Sequence, residues 1–249
     1  MIFIFDVDGT LTPSRGRIDK EFAVWFSKFC ETNIVYLVTG SDRSKTVEQI
    51  GEYIYSKCKR VYNCNGNDVW EGALNIRTNK WVLPESPHDW LSEQLTSSTF
   101  MLRTGLHFEH RPGMVNFSVV GRNADSEQRA EYVVHDVLSD ERNIIADNFN
   151  LLFPTLQATV GGETGIDIAP AGADKSQILA DFDTQQEIHF FGDAMHSQGN
   201  DYPLAKIIVD NKRGMCYNII NWQDTWERLK KLCKNESASH VNGLIVPIK

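Results

Sequence analysis

The sequence predicts an α/β fold: a Rossmann-like parallel-sheet core interrupted by an inserted α+β cap. Three observations carry that reading. Short apolar runs without alternation, at Met1 to Phe5, Asn33 to Val38 and Glu187 to Phe191, have the pattern of strands buried on both faces. Helical spacing follows the first two runs, so strand and helix alternate as in a doubly wound sheet. The middle of the chain breaks this alternation with hairpin signals, the mark of a second unit set into the first.

Taken in order, Met1 to Phe5 forms a buried strand ending at Asp6. Phe22, Trp25, Phe26 and Phe29 then share one face of a helix. Asn33 to Val38 is the second strand, and Ser41-Asp42 supplies a cap for a helix over Arg43 to Tyr55. His107 to Val120 holds two strand-like stretches broken by Arg111-Pro112-Gly113. Ser126 to Leu138 is helical, with Tyr132, Val133 and Val137 spaced for one face. Leu151 to Val160 and Gly165 to Ile168 read as further strands. Lys175 to Ala180 is helical, Glu187 to Phe191 and Lys206 to Val209 are strands, and Trp222 to Leu232 closes the chain as an amphipathic helix. The expected division is a core of residues 1–83 plus 173–249 and a cap of 84–172, with Pro84 and Gly172 near the two hinges. Glu236 to Lys249 is polar and then GLIVPIK, and it carries no motif.

The 249 residues suffice for two modest cores, and 41% hydrophobic with 23% charged residues is ordinary for a soluble globular enzyme. A net charge of −8 excludes nonspecific nucleic-acid binding, which needs a dense basic surface. It leaves room for a small phosphorylated ligand, since a few arginines can reverse the sign inside one cleft. Five cysteines without a C-x-x-C pair point to reduced thiols and a cytoplasmic setting. The N-terminal run is apolar for only five residues before it turns acidic, unlike a signal peptide, and no stretch reaches membrane-spanning length.

The strongest chemical signal is Phe5-Asp6-Val7-Asp8-Gly9-Thr10. Two carboxylates at i and i+2, just past a buried strand, stand at the carboxyl edge of the sheet, where open α/β folds bind ligands. So close a pair repels unless a cation or proton lies between, and Mg²⁺ prefers carboxylate oxygens while leaving positions for phosphate. The pair also divides the work: ionised Asp6 as nucleophile, Asp8 as the proton carrier for the leaving or entering hydroxyl. A loop with capping carboxylates would give the same two letters, so the companions of the pair decide.

D-x-D-G-T after an apolar strand resembles the first motif of the haloacid dehalogenase-like superfamily, and the other motifs follow in order. Leu37-Val38-Thr39-Gly40-Ser41 resembles the second, whose hydroxyl bonds the transferred phosphoryl group; Thr39 is the first choice and Ser41 the alternative. Asp174-Lys175 resembles the third, which implies Lys175 as the neutralising cation. Phe191-Gly192-Asp193, then Gly199-Asn200-Asp201, resembles the fourth. The resemblance implies a metal site of Asp6, the main-chain carbonyl of Asp8, Asp193 and, on the metal side or behind it, Asp201.

Within that superfamily the chain is similar to the eukaryotic-type phosphomannomutases. Phe5 to Pro13 with Arg15, Phe108 to Asn116, Val120-Gly121-Arg122, Glu127-Gln128-Arg129 and Gly161 to Asp167 carry the likeness. It implies substrate binding by Arg15, Arg111, Arg122, Arg129 and Asp167, and guanidinium forks suit phosphate oxygens independently of any family. The chain departs from the pattern at Gly165, where the family has Ser, and at His110, where it has an apolar residue. The loop after Asp201 also lacks the family's second ion-binding sequence. The function implied is a mutase interconverting hexose 1-phosphate and 6-phosphate of mannose or glucose, with a sugar 1,6-bisphosphate as activator. A Mg-dependent phosphatase of the same fold is the alternative. A sugar-phosphate sensor is disfavoured, because binding alone needs no paired carboxylates. A homodimer is the assembly left open.

Overall fold

A computed structural model describes residues 1–197 and 199–239, with side chains described to Cys233; the end of the polar tail lies outside the described residues. Two sheets organise the chain. The first has seven strands, ordered β11 (Gly214–Asn218), β10 (Ile188–Gly192), β1 (Ile2–Phe5), β2 (Val35–Val38), β3 (Arg60–Asn63), β4 (Asp68–Glu71) and β5 (Leu74–Thr78). The five from β11 to β3 run parallel, and β4 and β5 extend the edge as antiparallel strands. All residues of β1 and β10 are buried, which is why these strands show no alternation.

Helix α1 (Lys20–Thr32) begins where the Asp19 carboxylate accepts from the N–H groups of Glu21 and Phe22. Its Phe22, Phe26 and Phe29 are buried, and Phe26 and Phe29 meet Phe5 and Phe3 edge-on at 5.2 and 4.9 Å between ring centres. The helix expected over Arg43 to Tyr55 is two: α2 (Arg43–Ile50) and α3 (Glu52–Lys57), broken at Gly51, whose φ of 81° ends the first helix while its N–H donates to Val47 O. Tyr202 to Asp210 corrects another expectation. Lys206 to Val209 is not a strand but the end of helix α7 (Tyr202–Asp210), whose Leu204, Ala205 and Ile208 are buried at helical spacing. The β-branched run Ile207-Ile208-Val209 imitated a strand locally; the strand is the following Gly214–Asn218. Helix α8 (Trp222–Ser239) lays Trp222 and Trp226 against Phe22.

The second sheet is antiparallel, ordered β6 (Phe108–Arg111), β7 (Met114–Phe117), β9 (Gly165–Pro170) and β8 (Leu156–Gly161). Helices α4 (Glu85–Ser97), α5 (Ser126–Ser139) and α6 (Glu141–Leu152) accompany it. They share a core of Leu91, Val115, Phe117, Tyr132, Phe149 and Ile168, joined by Trp81 and Leu83 from just before Pro84. Leu151 and Leu152, read from the sequence as strand, finish α6, and β8 starts only at Leu156. No helix among the described residues is long and apolar enough to cross a membrane.

Candidate active site

The register of the large sheet builds the site. Phe5 pairs with Phe191 and with Leu37, so the chain leaves three adjacent parallel strands at one edge, through Asp6 after β1, Thr39 after β2 and Asp193 after β10. The Asp6 N–H donates to Phe191 O at 2.9 Å and fixes the backbone of that residue. Gly9, with φ of 77°, turns the chain beneath Asp193; a Cβ there would lie 2.1 Å from the Asp193 Oδ2. Only glycine permits that approach.

Lys175 enters from a short 3₁₀ turn, Lys175–Asp181, started by Asp174, whose carboxylate accepts from Ser176 N–H. Its ammonium is fully buried, 2.5 Å from Asp6 Oδ1 and 2.7 Å from Asp201 Oδ1. Burial alone would lower the Lys175 pKa, but Asp201 and Asp6 outweigh it and hold the group charged. Burial raises Asp6 well above the carboxylate range; Lys175 opposes the shift, and Asp201 and Asp193 add to it. Asp193 is open to the cavity, yet the protein mass around it and then Asp201 push its pKa up to about 6. Carboxylate oxygens of Asp6, Asp193 and Asp201 lie within 4.8 Å of one another. Three carboxylates against one ammonium leave excess negative charge, which a divalent cation fits. The Asp201 oxygens already accept from Lys175 and from Ala194 N–H, so Asp6 and Asp193 are the acids more open to an ion.

Asp8 is held at three points. Its Oδ1 accepts from Arg15 N–H at 2.6 Å and from the Gln49 amide at 2.8 Å, and its Oδ2 from the Ser41 hydroxyl at 3.3 Å. The Ser41 hydroxyl is thus engaged, whereas Thr39 Oγ1 accepts from Ser41 N–H and keeps its own proton to donate.

One cavity of about 490 Å³ joins these groups to the second sheet. Asp6, Asp8, Thr39 and Asp193 line one side; Arg15, Arg111, Arg122, Arg129 and Asp167 line the rest. Lys175 and Asp201 sit behind the first group, fully buried. Arg111 donates to Gly40 O at 2.8 Å, which links the two sheets, and to Glu109 at 2.9 Å. Arg122 pairs with the same Glu109, and Arg129 with Glu163. Burial lowers the Arg15 pKa, and repulsion from Arg122 and Arg129 lowers it further. Burial also lowers that of Arg122, where Glu109 opposes the shift and Arg111 adds to it. Gly165 leaves its place to Asn116: a Cβ would meet the Asn116 amide nitrogen at 2.5 Å, and that nitrogen donates to Asp167 Oδ1 at 2.7 Å. His110 is exposed and does not line the cavity. Sequence reasoning did not single out Glu109, Glu163, Gln49 or Arg142. The last donates to Gly162 O at 3.0 Å and steadies the β8–β9 hairpin. Of these, Glu109 and Glu163 stood inside motifs, at positions given no role.

The model of the eukaryotic phosphomannomutases matches residues 23–235. The chain is 32% identical to the phosphomannomutase of Saccharomyces cerevisiae, covering 93% of each, and 31% identical to that of Dendrobium officinale, covering 92% and 93%. The chain belongs to the eukaryotic phosphomannomutase family. It is accordingly an enzyme of the phosphotransferring, isomerising kind. Solved structures place its fold among the haloacid dehalogenase-like proteins. The IMP-nucleotidase of Plasmodium falciparum aligns with a TM-score of 0.61 at 17% identity, over 94% of this chain and 68% of that one. A trehalose-6-phosphate phosphatase related protein aligns with 0.56 at 14% identity, over 95% and 99%. At such identities these two speak for the fold alone.

Proposed function

We propose that this phosphomannomutase-family enzyme interconverts hexose 1-phosphate and hexose 6-phosphate, mannose first and glucose second, through a phosphoaspartate on Asp6 and a sugar 1,6-bisphosphate. The observation that supports the reading is one cavity lined by Asp6 and by five arginines, Arg15, Arg111, Arg122 and Arg129 with Arg142. A mutase must grip one phosphate while the other reacts, and guanidinium groups suit that dianion.

The residues divide the work as follows. Phosphoaspartate at Asp6 transfers its phosphoryl group to the free hydroxyl of the sugar phosphate, and Asp8 takes that hydroxyl's proton. The bisphosphate turns, its other phosphate now facing Asp6. Lys175 occupies Asp6 Oδ1, so Oδ2 attacks phosphorus, the P–O bond to the sugar breaks, and Asp8 returns the proton to the leaving oxygen. Thr39 donates to the phosphoryl oxygens, while Arg15, Arg111, Arg122 and Arg129 with Asp167 hold the distant end. Mg²⁺ is the proposed cofactor, held by Asp6, the main-chain carbonyl of Asp8 and Asp193, with Asp201 behind; bound there it would offset phosphoryl and carboxylate charge. Residues 84–172 would act as the cap, hinged near Pro84 and Gly172, excluding water while the bisphosphate turns. Buried thiols at Cys30, Cys58 and Cys64 suit a reducing, cytoplasmic setting.

The test supplies mannose 1-phosphate with a trace of sugar 1,6-bisphosphate and follows hexose 6-phosphate and inorganic phosphate together. Isomer should far exceed released phosphate. Stoichiometric phosphate with no isomer would instead make the protein a phosphatase using the same Asp6.

A further inference from the structure

Arg129 and Glu163 form an ion pair across the cavity wall, from the first turn of α5 to the tip of the β8–β9 hairpin. The pair is lopsided. The Arg129 side chain is 13% exposed and set into the wall, whereas Glu163 is 44% exposed and reaches in from solvent. Both contacts of Arg129, from Nε and Nη2, go to one oxygen, Glu163 Oε2. That Nε–Nη2 edge is the face with which a guanidinium receives a phosphate. Glu109 is arranged otherwise: its two oxygens serve two arginines, Arg111 and Arg122, from within strand β6, which suits a group that sets their positions.

We propose that Glu163 is an internal stand-in for the substrate's phosphate, a displaceable carboxylate that holds Arg129 until a phosphate dianion takes its place. The proposal rests on the reading that the arginines of this cavity receive a sugar phosphate, and it deepens that reading by naming a residue that sets the affinity. A phosphate carries more charge than the single Glu163 carboxylate and offers three acceptor oxygens, so it displaces the glutamate, whereas a neutral sugar or a monoanion competes poorly. Glu163 therefore discriminates by charge and weakens binding of the correct ligand, which favours release of product.

The direction of one mutational effect decides the matter. Glucose 1,6-bisphosphate is titrated calorimetrically, at physiological ionic strength, into Asp6→Asn protein and into the same protein carrying Glu163→Gln. Glutamine keeps the size of the side chain and removes the competing charge, so binding should tighten roughly two- to tenfold. The same comparison in an Arg129→Ala background should show no gain, because the seat is gone. Weaker or equal binding with Glu163→Gln, a gain that persists without Arg129, or no binding to either protein each overturns the proposal. Because the readout is occupancy rather than turnover, the comparison holds even if the native enzyme releases phosphate instead of isomerising.

Discussion

Replacing Glu109 by alanine probes the electrostatic frame of the cavity. Glu109 is the common partner of Arg111 and Arg122, whose side chains are 10% and 15% exposed, while its own is 32% exposed. Stranding a fully buried charge costs about 3–5 kcal/mol, and an exposed pair contributes about 0–1. With the carboxylate one-third open to water, the change should cost about 1–3 kcal/mol at pH 7. Burial raises the Glu109 pKa, but Arg111 and then Arg122 more than reverse this, and the carboxyl ends below its ordinary value. A depressed carboxyl stabilises the fold above the unfolded value of about 4.3 and loses that contribution as pH falls through the folded value. The gap between native protein and Glu109→Ala should therefore be full at neutral pH and close only below that range. Urea denaturation at several pH values, read with the slope m held in common, measures it. A difference under about 0.5 kcal/mol at pH 7, or one that does not narrow in acid, would refute the reasoning.

Three further outcomes follow from the same geometry. Arg122→Ala should cost roughly 10–150-fold in kcat/KM for hexose 1-phosphate, the effect of losing one charged hydrogen bond of about 1.5–3 kcal/mol, as steady-state kinetics will show. Phe26→Ala should destabilise by about 3–5 kcal/mol in urea, since that fully buried ring packs edge-on against Phe5. Chelation of divalent metal should stop turnover and added Mg²⁺ should restore it; full activity in excess chelator, with no metal by elemental analysis, would exclude the cation from the mechanism.

The edge that carries Asp6, Thr39 and Asp193 is legible because strand ends are legible. Buried parallel strands read as plain apolar runs, so the amino-acid sequence alone marks the positions after Phe5, Val38 and Gly192 as strand ends. Strands β3 to β5 leave no such mark. Arg60–Asn63 has just two apolar residues, Val61 and Tyr62, between a charge and an amide, and Leu74–Thr78 is exposed throughout, so neither forms an apolar run. The joint between α5 and α6 is hidden because Asp140, rather than glycine, takes the left-handed conformation there, with φ of 55°. Lys206 to Val209 misleads because branched residues suit a strand locally, and only packing of Leu204 and Ile208 across a helical turn decides otherwise. Motif likeness finds the arginines but not their carboxylate partners. Glu163 lies 34 residues from Arg129, and nothing in the sequence between them announces the pair.

The central claim is that Asp6 carries the phosphoryl group, and one measurement addresses it directly. The enzyme is mixed with sugar 1,6-bisphosphate and Mg²⁺, quenched rapidly, digested in acid and examined by mass spectrometry alongside a folded Asp6→Asn control. The account predicts one phosphoryl adduct on the peptide containing Asp6, absent from the control, which should also be without measurable turnover. Phosphate on any other residue, or normal turnover by the Asp6→Asn protein, would contradict it.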